Sequence, residues 1–187
     1  MDIDFTFIGN NLAVDLTNTE IISHGELIDL LQDKAALLRW LKTSGLRVES
    51  KAITPLVLAN VLELRNALKR VYLANVNKIS ATKKDLATIN KYLAHHSTTQ
   101  VLCCKEGKYT LQPAHKHLSP DRLLGHIADE GVRLLTSAQA QQLKCCQNPE
   151  CVLIFVDTSR SRKRRWCSMD GCGNRAKVAT HYRRTKS

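Results

Sequence analysis

Apolar residues recur at helical spacing through most of the first 140 positions. The longest stripe runs at steps of four and three, a spacing that predicts an amphipathic helix with one face in a core. Its members are Val57, Val61, Leu64, Leu68 and Val71. The preceding Thr54-Pro55 predicts where this helix starts, because threonine caps a first turn and proline is preorganised for it.

Three shorter helices are predicted from the same kind of pattern. Residues 33–43 form one, a second opens at Ser80, and a third starts at Ser119-Pro120. The third helix contains Gly125 and Gly131, each of which costs a helix about 1 kcal/mol relative to alanine. We therefore expect another helix to pack closely against it.

A small amount of sheet is predicted beside these helices. The segments 100–104 and 108–112 flank a glycine turn and are typical of a β-hairpin. Phe5–Ile8 is short and β-prone, while residues 12–19 fit either a strand or a helix. The first 140 residues are therefore expected to form a helix-rich α+β domain.

A smaller module is expected over residues 141–187. The apolar run at 152–156 suits a strand, and the basic segment that follows returns the chain in a hairpin. Residues 171–184 have helical composition, with Val178 and Tyr182 spaced to pack inward. A knuckle, a hairpin and a helix in this order predict a treble-clef-like fold.

Two cysteine pairs with matched four-residue gaps are the strongest chemical feature of the chain. They are Cys146 with Cys151 and Cys167 with Cys172. Four thiolates fit one tetrahedral Zn²⁺ and leave no open position for water, so we expect one structural ion. Cys145 is the alternative to Cys146 but would give a five-residue gap, and His181 could serve only if a cysteine were displaced. Asn174 either braces the turn after the last cysteine or contacts a base.

Positive charge is concentrated around these cysteines. The chain carries a net charge of +11, and residues 144–187 hold 11 Lys and Arg against three acids. Such a field attracts phosphate-rich partners, and arginine suits bidentate contacts to phosphate or guanine. We expect contact with duplex DNA, while an acidic protein or an RNA would be drawn to the same charge. The candidate contact residues are Arg160, Arg162, Lys163, Arg164, Arg165, Arg175, Lys177, Arg183 and Arg184.

The residues around the cysteines also resemble a known family. Cys172-Gly173-Asn174-Arg175 and the upstream Cys-x₄-Cys are similar to the bacterial CGNR zinc finger, and residues 12–15 with 64–68 resemble the ABATE domain that precedes this finger. The resemblance implies a stress-linked bacterial transcription regulator that binds DNA through the finger. We expect the N-terminal domain to sense a small-molecule effector or to form a homodimer. Its family-like polar residues are Asp15, Asn18, Thr19 and Arg65.

These four polar residues have two interpretations. They could line a small-molecule pocket. Alternatively, Asp15 and Arg65 form a buried ion pair that organises the helices, which is the interpretation we favour.

Other classes of function are disfavoured. The sequence contains no phosphate-binding glycine loop, no His-Glu-x-x-His pair and no nucleophile elbow, so an enzyme is not expected. No basic leader or membrane-length apolar run is visible. The number of cysteines is odd and their spacing suits a metal, which favours a reducing cytoplasm over a disulfide framework. The residues between His95-His96 and His115-x-His117 offer no acidic or cysteine partner at ligand spacing, so these histidines are expected at the surface. Of Cys103 and Cys104, one thiol is expected to be buried.

Overall fold

The computed structural model describes residues 4–96, 100–113 and 117–185. Within them the α-helices are α1 (Leu12–Thr17), α2 (Lys34–Thr43), α3 (Pro55–Asn77), α4 (Lys83–Leu93), α5 (Pro120–Thr136) and α6 (Asn174–Thr185). The strands are β1 (Glu20–Ser23), β2 (Glu26–Asp29), β3 (Gln100–Lys105), β4 (Lys108–Pro113), β5 (Leu143–Cys145) and β6 (Ile154–Val156). They pair antiparallel as β1–β2, β3–β4 and β5–β6. The fold is helix-rich α+β, as predicted.

α3 is the central helix, and α1, α4 and α5 pack against it. The whole predicted stripe from Val57 to Val71 is buried, since an amphipathic helix gains most by placing its apolar face in the core. Thr54 caps the helix as predicted, because its Oγ1 accepts a hydrogen bond from Val57 N at 3.3 Å. The helix ends at Lys78, whose φ of 57° is left-handed.

The glycines of α5 allow the close helix packing that was predicted. A Cβ at Gly131 would lie 2.6 Å from Leu68 Cδ2 and 2.8 Å from Tyr72 Oη, both on α3. A Cβ at Gly125 would lie 2.4 Å from the backbone nitrogen of His96, just after α4. Any larger residue would therefore separate α5 from its neighbours.

Near the N-terminus one prediction needs correction and one open choice is settled. Phe5–Ile8 is not a strand; its two phenylalanines pack against the core, and this packing accounts for its apolar composition. The ambiguous segment that starts at residue 12 is the short helix α1, because Asn11 Oδ1 caps it by accepting from Ala13 N and Val14 N. The β1–β2 hairpin that follows was not predicted.

A further correction concerns the start of α4. This helix begins at Lys83 rather than at Ser80, because Thr82 is the residue that caps it.

The β5–β6 pair connects the cysteine-rich module to the helical core. Leu143, Ile154 and Val156 are buried in the same apolar cluster as the inward residues of α1 and α3. This burial crosses the predicted boundary at residue 140, so the last quarter of the chain packs directly on the helical core. It also positions the metal site, since Cys146 directly follows β5.

The free edge of β6 is bonded to the N-terminal segment. Val156 N donates to Gly9 O at 3.0 Å, and Asn10 Nδ2 donates to Val156 O at 2.9 Å. Asn18 makes two bonds with Ile154, donating to its carbonyl at 2.8 Å and accepting from its N–H at 2.9 Å. A buried strand edge leaves costly unpaired backbone groups, and the carbonyl of Gly9 with the side chains of Asn10 and Asn18 satisfies them.

Candidate metal centre

The four predicted cysteines converge on one point. The Sγ atoms of Cys146, Cys151, Cys167 and Cys172 all lie within 4.8 Å of one another. The Cys151–Cys167 sulfurs are 3.8 Å apart and the Cys167–Cys172 sulfurs 3.6 Å apart. Zn–S bonds of about 2.3 Å in a tetrahedron place neighbouring sulfurs about 3.8 Å apart, so the set fits one zinc ion. Four protein sulfurs complete the coordination, which makes the site structural.

The first knuckle is formed between β5 and β6. Cys146 N donates to Leu153 O at 2.9 Å, which closes the loop, and Cys151 N donates to Asn148 O at 3.0 Å inside it. The side chain of Asn148 also accepts from Glu150 N at 3.0 Å. These turn bonds bring the two sulfurs of the pair to the same side of the loop.

The second knuckle is a π-helical turn over residues 169–173 that leads directly into α6. Ser168 caps it, with Oγ accepting from Gly171 N at 3.0 Å. Asn174 Nδ2 donates to Asp170 O at 3.3 Å, so the bracing role considered for this amide is present. The helix thus begins directly after Cys172, as in a treble clef. The hairpin predicted between the two cysteine pairs is wrong, because β6 pairs with β5 and the described residues 157–168 contain no strand.

Cys145 does not take part in the cluster. It is the last residue of β5, pairs with Ile154 and packs partly against the helical core. Burial raises the pKa of its thiol, as expected for an inert buried cysteine. Successive residues of a strand point to opposite sides, so Cys146 rather than Cys145 faces the other sulfurs. His181 lies in α6, and its side chain is outside the described part.

Several predicted contact residues have internal roles. Arg175 Nη2 donates to Cys172 Sγ at 3.2 Å, which offsets thiolate charge beside the metal. Arg164 Nη2 donates to Cys167 O at 2.6 Å, and its guanidinium lies 4.5 Å from the centre of the Phe155 ring. These two arginines therefore support the finger itself.

Arg165 combines internal contacts with exposure. Its Nε donates to Gln147 Oε1 at 2.6 Å, and its guanidinium lies 5.0 Å from the centre of the Trp166 ring. Arg160, Arg162, Lys163 and Lys177 have exposed side chains. Arg183 and Arg184 belong to α6, but their side chains lie outside the described part.

A buried carboxylate holds the basic loop, and the sequence reasoning missed this role. Asp157 is fully buried and accepts hydrogen bonds from Lys144 Nζ at 2.7 Å, Ser159 Oγ at 2.6 Å and Arg164 N at 2.8 Å. Burial alone would raise the pKa of Asp157, but Lys144 and the other donors hold it far below its usual range. Lys144 also donates to Arg162 O at 2.6 Å, so one ion pair fixes both ends of the loop.

The four polar residues of the N-terminal part do not form the predicted Asp15–Arg65 pair. Arg65 is buried, but its Nη1 and Nη2 contact the carboxylate of Asp29 at 2.7 and 2.8 Å, and Nη1 also contacts Thr19 Oγ1 at 3.2 Å. Asp29 was missed because it lies on the unpredicted strand β2. Asn18 bonds to Ile154 as described above.

Asp15 instead accepts a hydrogen bond from Gly9 N at 2.7 Å. Burial raises its pKa to about 6, although the backbone hydrogen bonds of Gly9 and Ile8 act in the opposite direction. Gly9 is required here, since a Cβ would lie 2.8 Å from Asp15 Oδ1.

Two further expectations are wrong, and a third concerns a second metal site. Val178 and Tyr182 do not pack inward; they are 53% and 64% exposed, because α6 makes most of its contacts with the turn at its own start. Neither Cys103 nor Cys104 is buried, since the β3–β4 hairpin makes few contacts with the core. Among the described residues no second candidate metal cluster is found. His115 lies outside them.

Two families match this chain. The family ABATE, described as "Putative stress-induced transcription regulator", matches residues 10–138, and the CGNR zinc finger matches residues 142–185. These are a regulator and a zinc finger rather than enzymes. A comparison with curated proteins finds no match. Over the described residues, no helix has the length and apolar character needed to cross a membrane. The chain therefore belongs to the ABATE family and carries a CGNR zinc finger after its ABATE domain.

Proposed function

We propose that the protein is a transcription regulator that contacts duplex DNA through its zinc finger. The observation that carries this proposal is a set of exposed basic side chains on a loop that internal bonds hold in place. Arg160, Arg162 and Lys163 lie on this loop, and the Lys144–Asp157 pair binds its two ends. A preorganised loop loses less conformational entropy when it binds a phosphate backbone.

The proposal separates two kinds of basic residue. Arg164 and Arg175 support the metal site, whereas the DNA contacts come from Arg160, Arg162, Lys163 and the exposed Lys177. The family to which the chain belongs supports a regulatory role. We further propose a division near residue 140, in which the N-terminal part senses an effector or forms a dimer and the finger contacts DNA.

The first prediction concerns the salt dependence of binding. Replacing Arg160, Arg162 and Lys163 together by glutamine should weaken duplex binding and lower the slope of log K against log salt by up to about 3, since each phosphate contact contributes about 0.9. Fluorescence anisotropy with the zinc-loaded full chain over a salt series measures both quantities.

A matched variant controls for the loss of net charge. Lys34, Arg39 and Lys42 are exposed residues of α2, away from the finger along the chain, and their replacement by glutamine removes the same charge. This variant should keep the original slope. Equal effects of the two triple variants would contradict the proposed contact surface.

A second candidate function is docking to an acidic protein. Met169, Val178 and Tyr182 expose more than half of their surface on the finger, and apolar groups beside basic ones suit a protein interface. This second candidate would be favoured if the protein did not bind duplex DNA even at low salt but did bind an acidic peptide. Preference for structured RNA over duplex DNA would instead indicate an RNA-binding role.

A further inference from the structure

The metal site has one side that opens to a cavity. A cavity of about 220 Å³ lies between the β1–β2 hairpin and the finger. Ile8, Ile21 and Ile22 form its wall on the N-terminal side. Cys151, Cys167 and Cys172 face it from the finger, while Cys146 is not among its lining residues. A water molecule occupies about 30 Å³ in the liquid, so the cavity admits solvent and small solutes.

The four sulfurs differ in their access to this cavity. Cys146, Cys167 and Cys172 are buried, with 8%, 3% and 2% of their surface exposed, whereas Cys151 is only partly buried. The reactivity of a thiolate towards oxidants depends on its access as well as on its charge. Cys151 is therefore the ligand that a small oxidant meets first.

A second thiolate lies within reach of Cys151. The Cys151 and Cys167 sulfurs are 3.8 Å apart, and a disulfide needs about 2.05 Å, so a shift of less than 2 Å would join them. Cys167 also lines the cavity but exposes only 3% of its surface, so it meets the oxidant less readily than Cys151 and is placed to attack an oxidised Cys151 sulfur.

We propose that Cys151 is a site of oxidation by hydrogen peroxide and that the product is a Cys151–Cys167 disulfide. The Cys151 thiolate attacks one peroxide oxygen, so an S–O bond forms, the O–O bond breaks and hydroxide leaves. The Cys167 thiolate then attacks the sulfenic sulfur, so an S–S bond forms, the S–O bond breaks and a second hydroxide leaves. Two thiolates lose two electrons, and one peroxide is reduced to two hydroxides. The chain loses two of four ligands and releases Zn²⁺.

The test uses the zinc-loaded full chain with the three other cysteines removed as Cys103→Ser, Cys104→Ser and Cys145→Ala. Hydrogen peroxide is added, zinc release is followed with a chromophoric chelator, and the disulfide is mapped by mass spectrometry of unreduced peptides. We expect zinc to be released at the same rate as the disulfide forms. Reduction with dithiothreitol followed by addition of Zn²⁺ should restore zinc binding. None of these measurements depends on DNA binding.

Variants of the cavity wall provide the decisive comparison. Ile22→Trp narrows the cavity and should slow zinc release several-fold, while Ile22→Ala widens it and should speed release. Ile79→Trp is the matched control, because Ile79 is 65% exposed and does not line the cavity. Equal rates in all of these proteins, or a disulfide between Cys146 and Cys172, would overturn the proposal.

Discussion

Neighbouring residues of the finger have different roles although their chemistry is the same. Arg164 lies over the Phe155 ring and bonds to Cys167 O, whereas Arg160 and Arg162 are exposed. Residue type and spacing could not separate them, because a guanidinium can serve equally as a packing group and as a phosphate ligand. The distinction depends on Asp157, whose burial orients the loop.

Asp15 makes stability depend on pH. Burial raises its pKa to about 6, above the value of about 4 in unfolded chains, so the folded state binds the proton more tightly. The stabilisation by this proton is fully present below pH 4 and is lost as pH rises through 6. Asp15→Asn keeps an oxygen that accepts from Gly9 N, and it cannot ionise, so its stability is not lost as pH rises through 6.

We therefore expect the free energy of unfolding of Asp15→Asn to rise relative to the original protein between pH 4 and pH 7.5, by at most about 3 kcal/mol. Urea denaturation at several pH values measures the difference. Asp4→Asn, at an exposed carboxylate, should follow the original protein throughout. A constant difference between Asp15→Asn and the original protein would show that this carboxyl does not titrate as described.

At the scale of elements, the two β-hairpins of the N-terminal part were not equally predictable. β3–β4 follows a clear alternation around Glu106-Gly107 and was predicted within a residue at each end. β1–β2 turns at His24-Gly25, where both residues have positive φ, and this glycine was the available signal. Its short strands were not recognised, so the partner of Arg65 was missed as well.

Asn18 should be essential for the docking of β6. Its amide satisfies both the N–H and the carbonyl of Ile154 in a buried position, so Asn18→Ala leaves two backbone groups unpaired. We expect a loss of at least about 2 kcal/mol in the free energy of unfolding, measured by urea denaturation. Asn90→Ala, at an exposed position in α4, should change stability by less than about 0.5 kcal/mol. Similar losses in both variants would contradict this role.

At the scale of the whole molecule, metal binding and core stability should be coupled. Leu143, Ile154 and Val156 belong to the helical core, while Phe155 packs with the metal-binding cysteines. Opening the knuckles would therefore disturb strands that the core needs. For the same reason an isolated fragment of residues 140–187 would expose apolar side chains, and the full chain is the appropriate protein for binding experiments.

Removal of zinc tests this coupling. Trp40 is fully buried in the helical core and reports on it by fluorescence, if Trp166→Phe removes the signal of the finger. Chelation should lower the melting temperature seen by Trp40 by more than about 5 °C, because metal binding contributes folding free energy. A Trp40 transition that does not move on chelation would show that the two parts unfold independently.

The helical stripe, the caps at Thr54 and Ser119, the two cysteine pairs and the excess of positive charge could all be read from the sequence. These depend on local spacing and residue type, which are properties of the chain alone. The folded structure was needed to show which arginines are exposed, that Arg65 pairs with Asp29, and that the metal-binding module shares its strands with the core. The Arg65 pairing and the shared strands depend on residues far apart in the chain, as with Asn18 and Ile154, and the exposure of each arginine depends on the folded course of its loop. Local pattern carries no information about either.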